Sequence, residues 1–256
     1  NNATARDPPS GTQVIFRNEG GGIPGGLGGG LLFDDNASAG RAVIDNLDGV
    51  SQGSFTEFRS NATAAFSTIH NRGASTSSPS PNGEVRFYDS ATAGNATIIS
   101  YGGTMSDGRS GRAIFYDSSS AGSATFENFG GAGQSGLVDF RGQSSGADAV
   151  IRNHRGSAAG ENGGLTRFYE QSTAGQAEII NEGSTGADIK GGFTLFADSS
   201  NAGTARITNE ANDIIEGNLS ETRFAGNSSA SEATITNKGG TLSGGRGGVT
   251  AFTEGS

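Results

Sequence analysis

A block running thirteen steps from a Phe to a closing residue recurs eight times along this chain. Its consensus is Phe-x-Asp-Ser-x-x-Ala-Gly-x-Ala-x-Ile-x-Asn. The leading Phe falls at Phe33, Phe58, Phe87, Phe115, Phe140, Phe168, Phe196, Phe224 and Phe252, at spacings of 25 to 29 residues. The closing position falls at Asn18, Asn46, Asn71, Ser100, Asn128, Asn153, Asn181, Asn209 and Asn237. Within a copy the length never varies, so all variation lies in the connector between a closing residue and the next Phe. Self-similarity at a fixed period of this size means an array of one stacked unit. The constant part must superimpose on its neighbours, while the connector is free to bulge outward.

Short stretches of period two place strands inside the unit. Thr166 and Phe168 share one face, and Ala177 and Ile179 share another with Glu178 opposite. The inward Ala/Ile pair returns as Ala42/Ile44, Ala96/Ile98, Ala149/Ile151, Ala205/Ile207 and Ala233/Ile235, and Phe126 takes the Ile place once. A third side is expected in the connectors, where Ile23, Met105, Ile214 and Leu242 follow the closing residue by five and sit among Gly. Ser51 and Gly133 stand there in the two shortest repeats, so that side is trimmed in those coils. Three short sides with Gly at the corners describe an all-β, single-stranded parallel β-helix, or β-solenoid. About nine coils stacked at about 4.8 Å give a rod roughly 43 Å long. No window sustains a helical period; Glu210–Glu216 is the weak exception and falls in a connector.

Stacking explains the constant residues. Phe rings fall on Phe rings, and each buried Phe or Ile contributes on the order of 1.5–3 kcal/mol. A column of Asn can pass hydrogen bonds from amide to amide, with Ser100 the one interruption. The Ala-Gly pair suits a tight corner at positive φ. Ala64-Ala65, Gly146-Ala147 and Ala230-Ser231 replace it in three copies, so the corner is not expected to need Gly.

The repeat runs nearly end to end, so residues 1–256 read as one domain. Residues 1–17 form an irregular first coil or N-terminal cap, 18–252 the regular coils and 253–256 an incomplete last coil. Gly numbers 45 and hydrophobic residues make up 32%, a composition that without the repeat would suggest disorder. A narrow solenoid needs only this thin core. Net charge is −9 and the sequence holds no Lys/Arg cluster, which argues against nucleic acid and anionic membrane as partners. No apolar run is long enough for a transmembrane helix, so no membrane insertion of this segment is expected. With no Cys and two His, no zinc site is expected, and no cofactor.

Candidate sites are few. Two residues after each Phe stand Asp35, Ser60, Asp89, Asp117, Gly142, Glu170, Asp198, Gly226 and Glu254. Asp89/Asp117 and Glu170/Asp198 would be neighbours on adjacent coils, where paired carboxylates could share a cation or a proton. The competing reading is an Asx turn, in which Asp before Ser caps its own turn; gaps in the column favour it, and no metal site is assigned. His70 and His154 flank closing Asn residues and are expected to be exposed and non-catalytic. The outward column holding Thr97, Thr125 and Thr234 also holds Val43, Val150, Glu178 and Arg206, too mixed for an ice-binding face. Asn2, Asn61, Asn95, Asn218 and Asn227 begin glycosylation sequons. No catalytic residue is assigned.

The string at Ser172–Gly183, Ser-Thr-Ala-Gly-x-Ala-x-Ile-x-Asn-x-Gly, resembles the repeats of large bacterial surface proteins, the autotransporter passengers and related adhesins. The resemblance covers the chain after about residue 10. It implies a right-handed β-helix and an extracellular or cell-surface location, and it carries over no catalytic residue. The family's C-terminal membrane barrel is missing from this sequence. The chain stops four residues past Phe252, and counting back from Asn18 puts Ala5 at the first Phe position, with Asp7 in the acidic column and Pro8-Pro9 beyond. Open ends of this kind suit head-to-tail addition of a second copy. The expected function is a non-enzymatic structural rod: a filament subunit, stalk or adhesin that self-associates end to end or meets a glycan or host-surface ligand. The alternative is a polysaccharide-binding or polysaccharide-processing β-helix, which needs a groove with Asp, Glu, Arg or Lys clustered on adjacent coils.

Overall fold

The structure, a computed structural model, describes residues 3–5, 13–75, 82–212, 214 and 218–253. Asn2, Asp7, Pro8-Pro9, Glu254 and most of the 213–217 stretch lie outside the described residues. Nine strands ending on the closing position, from Ile15–Asn18 to Thr234–Asn237, form one parallel sheet. Nine strands that end on or just after the leading Phe, from Gly30–Phe33 to Val249–Thr253, form a second. The chain alternates between them, so each strand pairs with the one a full turn before and a full turn after it. Register holds column by column: Phe140 lies beside Phe168 and Asn153 beside Asn181. This is an all-β parallel β-solenoid, with about eight turns between its first and last strands and no helix among the described residues.

The third side is not where the connectors suggested. Ile23, Met105 and Leu242 are exposed at 70%, 42% and 56%. Each opens a tight turn, its carbonyl accepting the N–H of Gly26, Gly108 or Gly245. In two of these turns a Gly, Gly25 or Gly244, holds positive φ as a type II turn requires. In these three connectors the apolar residue therefore opens a turn and does not point inward from a strand. The third side instead lies inside the constant block, as a column of single parallel bridges joining Thr4, Ser38, Thr63, Thr92, Ser120, Ser145, Thr173, Asn201 and Ser229. Each of these side chains from Ser38 onward accepts the N–H two residues on, as Thr92 Oγ1 does from Gly94 at 3.0 Å and Asn201 Oδ1 from Gly203 at 3.1 Å. A short polar side chain that bonds its own backbone is what closes a turn this tight.

That bridge column also corrects the first coil. Thr4, not a residue near position 10, pairs with Ser38, and Ala5 donates its N–H to the Ser38 carbonyl at 2.9 Å. Ala5 thus follows the bridge residue and does not stand in for a Phe. Counting back failed because extra residues separate Thr4 from the strand Ile15–Asn18, which is itself in register with Val43–Asn46.

Inside, the two sheets face each other across the Phe, Ile and Asn columns. Phe58 to Phe224 are fully buried at the Phe position, and Phe252 at the end is 59% exposed. The nine rings stack in parallel, with centroids 4.5–5.0 Å apart and planes within 13°. The coil spacing sets that distance, which also suits offset aromatic stacking. Beside the rings runs the amide ladder: Asn153 Nδ2 donates to Asn181 Oδ1 and Asn181 Nδ2 to Asn209 Oδ1, both at 2.8 Å. Away from the Ser100 break a hydroxyl from the opposite sheet completes the step, as Thr194 Oγ1 donates to Asn181 Oδ1 at 2.9 Å. The buried amides of those coils are thereby satisfied from within the core.

The corner after each bridge keeps its left-handed backbone whether or not Gly is present. Ala65, Ala147 and Ser231 hold φ of 54, 47 and 49°, against 58–65° at the Gly positions. Gly is replaced there at the expense of local strain, so the corner needs the conformation even where it lacks the residue.

Candidate functional site

The acidic column is built by the first corner of each coil. Asp35, Ser60, Asp89, Asp117, Glu170 and Asp198 all sit at φ between 53 and 59°, and Gly142 and Gly226 hold the same region. The gaps in the column are therefore filled by the residue best suited to that backbone, and Asp tolerates it better than most others. The carboxylates do not cap their own turns, as an Asx turn would. Four of them reach back one coil: Asp89 accepts the Ser60 N–H at 2.9 Å, Asp117 that of Asp89 at 3.1 Å, Glu170 that of Gly142 at 2.6 Å, and Asp198 that of Glu170 at 3.0 Å. Asp89/Asp117 and Glu170/Asp198 are adjacent along the axis, but their oxygens serve as an outer clamp between coils. Among the described residues no group of three or more His, Cys, Asp or Glu gathers to hold a metal.

The two His are half-buried rather than exposed. His70 Nδ1 meets Asp45 Oδ1 at 2.7 Å. His154 lies flat on Phe129, ring centroids 4.2 Å apart, in an outer column that continues from Tyr101. Its Nε2 meets Glu127 at 2.6 Å and its Nδ1 meets Glu182 at 3.3 Å. Burial works against the charged ring, but hydrogen bonds to Glu182 and Glu127 outweigh it and raise the His154 pKa. The hydrogen bond from His154 in turn lowers Glu182 to about 2. This is an ion pair locked between coils.

A different feature has the form of a binding surface. The outward face of the Phe sheet and the returning limbs of the connectors enclose an open trough. Three of its depressions adjoin along the axis: the middle one shares Ser135, Asn162 and Leu165 with one neighbour and Lys190, Gly191 and Phe193 with the other. Further along, Phe55, Glu84, Arg86 and Arg109 line another, and Glu84 is in register with Arg112 on the following coil. Between Arg112 and Glu221 on one strand column the floor carries Leu137, buried, and Leu165 and Phe193, half-buried. The wall is a column six residues before seven of the nine leading Phe residues, where Gln52, Arg109, Gln134, Asn162, Lys190, Asn218 and Arg246 stand. Sequence inspection missed this column because it lies in the variable connectors, where alignment on the closing Asn blurs it. Alignment on the following Phe brings it into view.

Charge in the trough is unevenly matched. Arg167 makes a two-pronged pair with Asp139 at 2.6 and 2.7 Å, and Arg86 holds Glu84 and Glu57. Arg109, Arg112 and Lys190 make no ion pair with a carboxylate among the described residues. Arg112 donates only to Gln134 Oε1 at 3.2 Å, and its buried Nε has no protein acceptor. Burial pushes the Arg112 guanidinium below its usual range, and Arg167 and Arg109 add repulsion against the pull of Glu84 and Asp139.

No family model, curated protein or solved structure matches this chain. What is established is the class of fold, a parallel β-solenoid; function has to be argued from the surfaces this fold carries.

Proposed function

We propose that the chain is a rigid, non-enzymatic rod from an extracellular surface protein, acting as a stalk, filament subunit or adhesin shaft. The uninterrupted nine-ring Phe column carries the reading. A column that stays in register from one end to the other suits a load-bearing or spacing element, because every coil is tied to its neighbours by the same buried contacts. The backbone bridge column, the amide ladder and the carboxylate clamp repeat that tie on three further lines. The candidate residues with chemical potential, Asp89, Asp117, Glu170, Asp198 and His154, are all engaged in inter-coil bonds, which also favours a structural role.

Negative-stain microscopy of the purified chain at rising concentration tests the filament role. Rods roughly 40 Å long, from about nine strands at about 4.8 Å, should lengthen in whole multiples as concentration rises. Rods of one length throughout would remove that role. Release of reducing ends from a panel of polysaccharides would overturn the non-enzymatic reading.

A further inference from the structure

The trough has a pattern that a structural rod does not require. Inter-coil contacts are already satisfied by the interior ladders, and pairing charges across the outer face would have been enough to keep it soluble. Instead Arg109, Arg112 and Lys190 are left without carboxylate partners on a chain whose net charge is −9. Arg109 and Lys190 stand on the wall column and Arg112 on the strand beside it, in a trough that also presents side-chain amides and the apolar side chains Leu137, Leu165 and Phe193. We propose that this trough holds an extended acidic polysaccharide, with its carboxylate or sulfate groups against Arg109, Arg112 and Lys190 and its sugar rings over Leu165 and Phe193.

Three features select this occupant. The trough repeats coil by coil at about 4.8 Å, and a linear polymer of similar units can meet such a surface in many equivalent registers. Between Arg109 and Lys190 the wall carries the amides Gln134 and Asn162, whose oxygens accept from Arg112 at 3.2 Å and from Lys190 at 2.7 Å and so steady these cations. Each amide oxygen keeps a second lone pair that a sugar hydroxyl can use. The stretch of apolar side chains at Leu137, Leu165 and Phe193, set among a few placed polar groups, has the general form of a ligand-binding cleft. An acidic peptide fits less well, because strand addition requires an open sheet edge and this is a lateral face whose strands are already paired on both sides. Nucleic acid fits less well too, since its phosphates call for cations on nearly every step, whereas here amides separate them. The idea does not depend on polymerisation or on where the protein resides, and its failure would leave the rod reading untouched.

The test is affinity electrophoresis of the intact chain through gels containing polygalacturonate or heparin, with dextran, polyglutamate and single-stranded poly-dT in parallel. Polygalacturonate and heparin separate carboxylate from sulfate recognition, and retention by either one supports the proposal. Retention should exceed that in dextran or polyglutamate at least tenfold. The exposed pair Arg109→Ala/Lys190→Ala should weaken it tenfold or more with an unchanged thermal melt. Arg206→Ala, on the outward face of the other sheet, should leave it as it was. Absence of retention in both acidic glycans would overturn the proposal. So would equal retention by polyglutamate or poly-dT, or an equal loss in Arg206→Ala.

Discussion

Ser100 stands where every other repeat closes on Asn, and the core around it is adjusted to match. Asn71 Nδ2, Ser100 Oγ and Asn128 Oδ1 all lack a protein partner. The hydroxyl that completes the ladder elsewhere is gone as well: Val85, Ala113 and Val138 occupy the places taken by Thr56 and Thr166 in other coils. Phe126 fills the Ile place nearby and meets Phe115 edge-on at 5.9 Å. Because Ala113 is smaller than Thr, an amide has room at position 100. Ser100→Asn should therefore join the two halves of the ladder and raise stability by about 1–3 kcal/mol, the usual worth of satisfying buried polar groups. Urea denaturation measures it, and an unchanged or lower midpoint would count against the ladder as a source of stability. The Asn column was legible in sequence because one residue type repeats at one spacing. The bridge column was not: Ser38, Thr63, Thr92 and Asn201 differ in name and share only a short side chain that can accept a hydrogen bond.

On the outer side of the Asn sheet, single residues combine into a ladder of mixed chemistry. Arg72 lies over Tyr101 at 4.4 Å, Tyr101 stacks on Phe129, and Phe129 stacks on His154. Lys238 closes on Glu210 at 2.8 Å further along. Position by position these residues look unrelated, so the sequence pattern showed only variability there. Stacking makes them one element, with a cation over an aromatic face at one end and ion pairs at the other. Its pH response follows from His154 and Glu182. The His154 pKa is raised in the folded chain, so its contribution is full below the ordinary value of 6.5 and is lost as pH rises through the folded value. Glu182 is lowered to about 2, so its contribution is present above the ordinary 4.5 and is lost as pH falls toward about 2. The stability difference between the native chain and His154→Gln should be largest between about pH 4.5 and 6.5 and shrink on both sides. Chemical denaturation across pH measures it, and a difference that grew above pH 8 would show that the ring acts through packing rather than charge.

For the molecule as a whole, the division into constant block and variable connector sets what the solenoid tolerates. The parallel β-solenoid was legible from the spacing alone, because thirteen fixed steps leave no other way to keep Phe168 and Asn181 in line with Phe196 and Asn209. The position of the third side was not legible, because one exposed apolar residue per connector imitates an inward one until the turn that holds it is known. The fold therefore predicts opposite outcomes for two insertions. Four residues of Gly and Ser placed between Ala158 and Ala159, both exposed in a connector turn, lengthen a surface loop. Loop closure makes that cost less than about 1 kcal/mol. A single residue placed between Ala177 and Glu178 slips the following strand by one, and in a strand every side chain then changes face. Ile179 and Asn181 would turn outward, and the amides of Asn153 and Asn209 would lose their shared partner. Loss of one buried Ile alone typically costs about 2–5 kcal/mol, so this insertion should lower stability by at least about 4 kcal/mol or prevent folding, as read by circular dichroism and urea titration. Equal tolerance of both insertions would mean that the coils are not held by the columns at all.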